Sequence, residues 1–173
     1  ISIYKTYQKR FFVGPELISE KVNKKTGLIV TIPCYNELNL IDTLNSLSKC
    51  KPPLCTVEVL IFINSSENAS DDIINANFKT YDQANQWIAK NKSQWLHFQV
   101  AIDNKLPAKH AGVGLARKRI MDEALFRYSK INYNGPIVCL DADCKISANY
   151  FIAIENSYKK YEWEVATLHY EHI

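Results

Sequence analysis

Long apolar runs are missing from this sequence. The most apolar segments, GLIVTIP and VLIFI, stop after a few residues and are too short to span a bilayer as a helix. No basic-then-apolar leader opens the chain, and position 1 is Ile rather than Met, so the expectation is a processed or excised piece of something longer. No block of five like charges occurs. The 21 Lys and Arg are spread among 18 acids, without a basic stripe interleaved with aromatics, so nucleic acid is not an expected partner and the charges read as a solvated, mixed surface. There is no C-x-x-C, no H-E-x-x-H, no Ser-His-Asp order and no zinc-type Cys/His spacing. Glycine is scarce, at five residues, and Gly112-Val113-Gly114 is only a fragment of a dinucleotide fingerprint, with Arg117 at the third glycine position.

What is present describes one globular domain. The 173 residues are 47% hydrophobic and 23% charged, enough for one filled core and short for two. The five cysteines, Cys34, Cys50, Cys55, Cys139 and Cys144, are odd in number, and Cys34 and Cys139 lie inside apolar runs. Core filling and a reducing, cytoplasmic setting follow for them. Without a secretory signal, the N-x-S tripeptides at Asn64, Asn68 and Asn91 carry little meaning.

Along the chain, apolar runs alternate with helical periodicity. Residues 1–12 are an aromatic arm or helix, and Pro15 opens a short amphipathic turn or helix over 15–22. LIVTIP, after Gly27, reads as a buried parallel strand, apolar on both faces. Asn36-Glu37 starts a helix whose face carries Leu38, Ile41, Leu44 and Leu47 and which stops at Lys51-Pro52-Pro53. Strand 57–64 follows, then a helix capped by Ser70 with Asp71 and Asp72 in its first turn and Ile74, Phe78, Tyr81, Ala84 and Ile88 on its inner face. A strand over 95–102, a turn over 103–112, a helix over 113–129 and the strand PIVCLDAD come next. A helix over 148–161 and a last strand, EVATLHY, close the pattern. This order predicts an α/β fold with a mostly parallel sheet, flanked by helices, in a single domain over 1–173 with an N-terminal arm over 1–26.

In open α/β sheets ligands bind at the carboxyl ends of the strands. Those ends carry Pro33-Cys34-Tyr35-Asn36-Glu37, Asn64-Ser65-Ser66-Glu67-Asn68 and Asp141-Ala142-Asp143. A bare D-x-D is commonly a solvated turn. Here it follows an apolar strand on the ligand edge, where two carboxylates can converge on one Mg²⁺ or Mn²⁺ completed by substrate phosphates.

Four elements together resemble glycosyltransferase family 2. GLIVTIPCYNELNLIDTLNSL is similar to the opening strand, turn and helix of that family, and VEVLIFINSSENASDD to its second strand and nucleotide loop. AGVGLARKRIMDEAL is similar to its glycine-containing helix with an Ala-Arg pair, and PIVCLDADC to its metal-binding D-x-D strand. In order, they cover about residues 27–150. The resemblance implies a GT-A (Rossmann-like) fold and metal-assisted, inverting transfer of a sugar from a nucleoside-diphosphate-sugar to a saccharide or lipid-linked hydroxyl of unknown identity. It implies that Pro33, Tyr35 and Glu37 line the nucleotide pocket and that Arg117 lies near base or diphosphate. Asp141 would approach ribose and metal, and Asp143 would coordinate an Mn²⁺ or Mg²⁺ ion that stabilises the leaving diphosphate.

Many members carry an acidic pair after the second strand. Here it is Asn64-Ser65, and Asn64 is the candidate base contact because an amide can hydrogen-bond a base edge. The family's acceptor half and catalytic base lie well beyond the D-x-D strand, whereas this chain ends 30 residues after Asp143, with Glu171, His169 and His172 too close to serve. The expectation is the donor-binding half of a larger, cytoplasmic enzyme, with membrane association through missing segments as an option. A degenerate, non-catalytic nucleotide-binding or interaction module is the alternative. Lys109 and His110 approach a diphosphate or lie on a solvated surface, and Trp87 reads as packing rather than carbohydrate stacking.

Overall fold

The computed structural model describes residues 3–168 of the chain. The elements run α1 (Ile3–Phe11), β1 (Thr26–Cys34), α2 (Leu40–Ser48), β2 (Thr56–Ser66), α3 (Asp71–Lys90), β3 (Leu96–Leu106), α4 (Val113–Lys130), β4 (Ile137–Cys139) and α5 (Tyr150–Tyr161). The four strands pair only in parallel, in the order β3-β2-β1-β4. The two central strands are buried almost end to end, which their apolar residues on both faces allow. Leu28, Val30, Ile32, Val57, Val59 and Ile61 face α2, α3 and α5. Ile29, Leu60, Phe62 and Ala101 face α4 and Ile18 of the arm. The parallel α/β architecture is therefore as the element order predicts.

Charge departs most from expectation, because α4 is not a solvated helix. Asp122, Glu123 and Arg127 are buried, and so is Glu58 on β2. Arg127 donates from Nε and Nη2 to the two Glu58 carboxylate oxygens at 2.7 and 3.2 Å, and from Nη1 to the Glu20 carbonyl at 2.9 Å. Asp122 accepts from the Tyr7 hydroxyl and the Val13 N–H, and Glu123 accepts from the Leu17 N–H. These carboxylates seat the arm on the domain. They also explain why 15–22 is irregular rather than helical: its main-chain groups bond to α4 instead of to one another. Gly14, at φ +79°, turns the chain into this path, with the Arg119 guanidinium packed against it. Burial outweighs the Leu17 N–H and Arg127 in raising the Glu123 pKa.

Other boundaries shift for local reasons. Helix α2 begins at Leu40 and leaves Leu38 exposed, because Asn36 is left-handed (φ +47°) and cannot belong to the helix. Ser70 occupies the N-cap of α3 with extended backbone, but its hydroxyl makes no capping bond. The inner face of α3 carries Asn77, Thr80 and Ala84, so Phe78 turns outward and is half exposed. Strand β3 runs on to Leu106 through residues expected to turn. Strand β4 is short and lies at the edge of the sheet, so Cys139 is exposed rather than core-filling. Cys34 does fill the core, and burial raises its thiol pKa to about 12. Residues 164–168 form no strand, and the rest of the expected EVATLHY strand lies outside the described residues. Trp87 packs edge-on against Phe98 and donates to Asn45, a structural role.

Glu155 on α5 makes the fold's acid sensitivity testable. Its burial opposes ionisation, but the Leu54 N–H and the Lys159 ammonium outweigh that cost and hold its pKa below the ordinary Glu value. A depressed folded-state pKa stabilises above the unfolded value, and that contribution is lost as pH falls through the folded one. The expected result is that wild type melts higher than Glu155→Gln at neutral pH, with the gap closing as acid is added; a gap independent of pH would contradict it.

Candidate functional site

All four strands deliver their carboxyl ends to one edge of the sheet. At the end of β1, Pro33 is buried, Tyr35 is 54% exposed and Glu37 is half-buried. The loop is held from two sides. Asn36 donates its N–H to Asn77 Oδ1 at 3.1 Å, and Glu37 Oε1 accepts the Asn39 N–H at 2.8 Å.

At the end of β2, Asn64 is 4% exposed, and its amide nitrogen donates to the carbonyls of Cys34 and Phe62 at 3.0 and 3.2 Å. Asn77 donates to the Asn64 carbonyl at 3.0 Å and to Asn104 Oδ1 at 2.9 Å, which also accepts from the Ser65 hydroxyl. One fully buried amide, Asn77, therefore ties the ends of β1, β2 and β3 together. Asn77→Ala is expected to cost about 2–3 kcal/mol, because the Asn36 N–H and the Asn64 carbonyl lose their partner. Denaturant unfolding reads this directly; a loss under about 0.5 kcal/mol would mean the loops find other partners.

At the end of β4, the Leu140 N–H donates to the Thr31 carbonyl at 3.0 Å and carries the pairing past the strand. Thr43 of α2 donates its hydroxyl to the Ala142 carbonyl at 2.7 Å. With Ala142 buried between them, Asp141 and Asp143 both emerge at the surface. Arg117, in the second turn of α4, donates from Nη2 to Asp141 Oδ1 at 2.5 Å. Both partners are open to solvent, so the pair contributes about 0–1 kcal/mol to stability, and its main effect is to orient the Asp141 carboxylate.

The fold thus brings Arg117 to Asp141 and Asn64 to the end of β1. No hydrogen bond joins these two groups among the described residues, and Asp143 makes neither a hydrogen bond nor an ion pair there. Lys109 and His110 are exposed in the turn before α4. Asn77, Asn104 and Thr43 are not singled out by the sequence, which names Ser65 only as part of the loop after β2. The available signal was polar side chains at inward helical positions, 77 and 80 on α3.

No group of three or more His, Cys, Asp or Glu side chains forms a metal cluster among the described residues. The donor set that does exist, exposed Asp143 with Asp141 close in sequence, fits a hard cation held jointly with phosphate oxygens. Among the described residues no helix is long and apolar enough to cross a membrane.

No family model matches the sequence, and no curated protein sequence does so either. Solved structures do match. The chain is similar to the S. aureus TarS fragment 1–349 in complex with UDP-GlcNAc, at 16% identity and TM-score 0.51 over 79% of this chain and 32% of that one. It is also similar to the mannosyltransferase PcManGT from Pyrobaculum calidifontis in complex with GDP-Man and Mn²⁺, at 16% identity and TM-score 0.44 over 90% of this chain and 37% of that one. The chain spans about a third of the length of these two structures. By architecture this is an α/β domain whose four-stranded parallel sheet, flanked by helices, matches GT-A glycosyltransferase structures.

Proposed function

We propose that this chain is the donor-binding part of an inverting, metal-assisted glycosyltransferase that takes its sugar from a nucleoside-diphosphate-sugar. The observation that carries the reading is the arrangement at the end of β4. Asp141 and Asp143 are presented at the ligand edge by a Thr43-anchored turn, and Arg117 reaches Asp141 from α4. The TarS fragment with this architecture holds UDP-GlcNAc, which supports the same class of ligand here.

Each residue then has a task. Pro33, Tyr35 and Glu37 line the nucleotide pocket, with Tyr35 exposed to receive a planar base or ribose. Asn64 holds the β1 and β2 loops in register through its amide nitrogen and offers its amide oxygen to the base edge. Arg117 offers positive charge to the diphosphate and orients Asp141, which meets ribose or metal. Asp143, with Asp141, would hold Mn²⁺ or Mg²⁺, whose positive charge stabilises the diphosphate as it leaves. The acceptor, a saccharide or lipid-linked hydroxyl, and the catalytic base are assigned to a further part of the enzyme.

Asn64-Ser65, in place of an acidic pair after β2, also favours a second reading, a non-catalytic nucleotide-binding module. Calorimetric titration with UDP and GDP, each with and without Mn²⁺, tests the donor site common to both. Metal-dependent binding supports it and identifies the base; absence of binding by the folded protein rejects it. Sugar transfer by the complete protein then separates enzyme from module.

A further inference from the structure

One edge of the sheet is a long strand without an outer neighbour among the described residues. Strand β3 has eleven residues and ends the sheet order, and the main-chain hydrogen bonding of Val100–Asp103 runs to β2 alone among the described residues. A groove of about 370 Å³ lies along it. Val100, Ala101, Ile102 and Asp103 all line that groove, although successive side chains of a strand point to opposite faces. The groove therefore opens on the edge itself, where alternate N–H and C=O groups point away from β2. Tyr81 of α3 flanks one side, and Leu17 and Glu20 of the arm flank the other. Four residues of strand span about 13 Å, room for a short extended segment.

Arg119 supplies an independent sign of a missing partner. It lines the same groove and is 7% exposed. Its ion-pair contact among the described residues is Asp103 Oδ2, at 3.7 Å from Nη1, and its buried Nε has no hydrogen-bond partner. Phe62 lies beneath the guanidinium, and the backbone at Gly14 packs so closely on it that a Cβ there would fall 2.5 Å from Cζ. The group is thus held in place with donors unspent, a state that buried polar groups rarely keep.

The surrounding charge selects the acceptor. Glu16, Glu20 and Asp103 line the groove against the one cation, Arg119, although Glu16 also pairs with Lys130 outside the lining. A small anion would meet excess like charge. An extended peptide offers Arg119 neutral main-chain carbonyls, satisfies the β3 edge and can place Lys or Arg side chains on the carboxylates. We propose that the outer edge of β3 receives an extended, Lys- and Arg-bearing segment of a partner protein as a fifth strand.

The probe is an end-blocked peptide of alternating valine and lysine, titrated into the protein by fluorescence anisotropy and followed by amide hydrogen exchange. Saturable binding with new protection confined to residues 99–104 is expected, at least tenfold weaker when glutamate replaces lysine or when alternate amides are N-methylated. Glu20→Lys, an exposed site, should weaken binding about fivefold, and Ile102→Lys should abolish it while leaving UDP binding unchanged. If Ile102→Lys fails to fold, Glu20→Lys and the N-methylated peptide carry the test. Absence of binding, protection elsewhere, or equal affinity for the glutamate peptide would overturn the proposal. So would concentration-dependent protection of 99–104 without peptide, which would assign the edge to a second copy of this chain.

Discussion

Replacing Arg127 by methionine is expected to lower the unfolding free energy by about 3–5 kcal/mol, the typical cost of breaking a buried ion pair from one side. Arg127 is fully buried and Glu58 is 2% exposed, so Glu58 would be left as a charge inside the domain without its forked partner. Glu123 would lose its neighbouring guanidinium at 3.9 Å, and the Glu20 carbonyl would lose its donor. For a domain of this size the loss corresponds to a melting shift of order 10 °C, read by circular dichroism. The double variant Arg127→Met, Glu58→Leu should recover part of it, because an apolar pair removes the orphaned carboxylate while leaving the Asn23 N–H and Glu20 carbonyl to find water. A single-variant loss below about 1 kcal/mol would show that water reaches Glu58 and that the pair is not what joins α4 to β2.

The second large effect concerns binding rather than folding. Asp143→Asn should remove the metal dependence of nucleotide binding and weaken affinity in Mn²⁺ at least tenfold, about 1.4 kcal/mol. Its melting temperature should not move, since Asp143 is exposed and makes no hydrogen bond or ion pair among the described residues. That combination is diagnostic, because a purely structural aspartate would do the opposite. Asp141→Asn is the instructive comparison. It also disturbs the contact with Arg117, so it should weaken nucleotide binding in the absence of metal as well. Unchanged, metal-dependent binding by Asp143→Asn would remove the D-x-D turn from the site.

Much of the site's framework was legible because local rules produce it. The turn after β1 and the D-x-D turn after β4 follow apolar segments, and a parallel α/β order sends every strand end to the same edge. The amide network was not legible. Nothing in the sequence spacing says that Asn77 reaches Asn36 and Asn64, respectively 41 and 13 positions away, or that Asn64 turns its amide nitrogen inward. Polar residues at inward helical positions were the one clue, and period alone cannot distinguish them from surface positions flanking an apolar stripe.

By itself the sequence determined the parallel α/β order, the burial of β1 and β2 and the location of both carboxylates of the D-x-D turn. These depend on side-chain periodicity and on short-range turn chemistry, which neighbouring residues supply. Tertiary structure decided the rest through partners distant in sequence. Val13 and Leu17 bond to Asp122 and Glu123, 109 and 106 residues away, so a segment with helical periodicity becomes an irregular strap. The same contacts bury charges that composition assigns to the surface. The position of β4 at the sheet edge exposes Cys139, and that of β3 leaves, among the described residues, an open strand edge beside a guanidinium without a hydrogen bond. Local rules specify what a segment can become, and the groups packed across it determine which of its polar atoms are satisfied and which remain available.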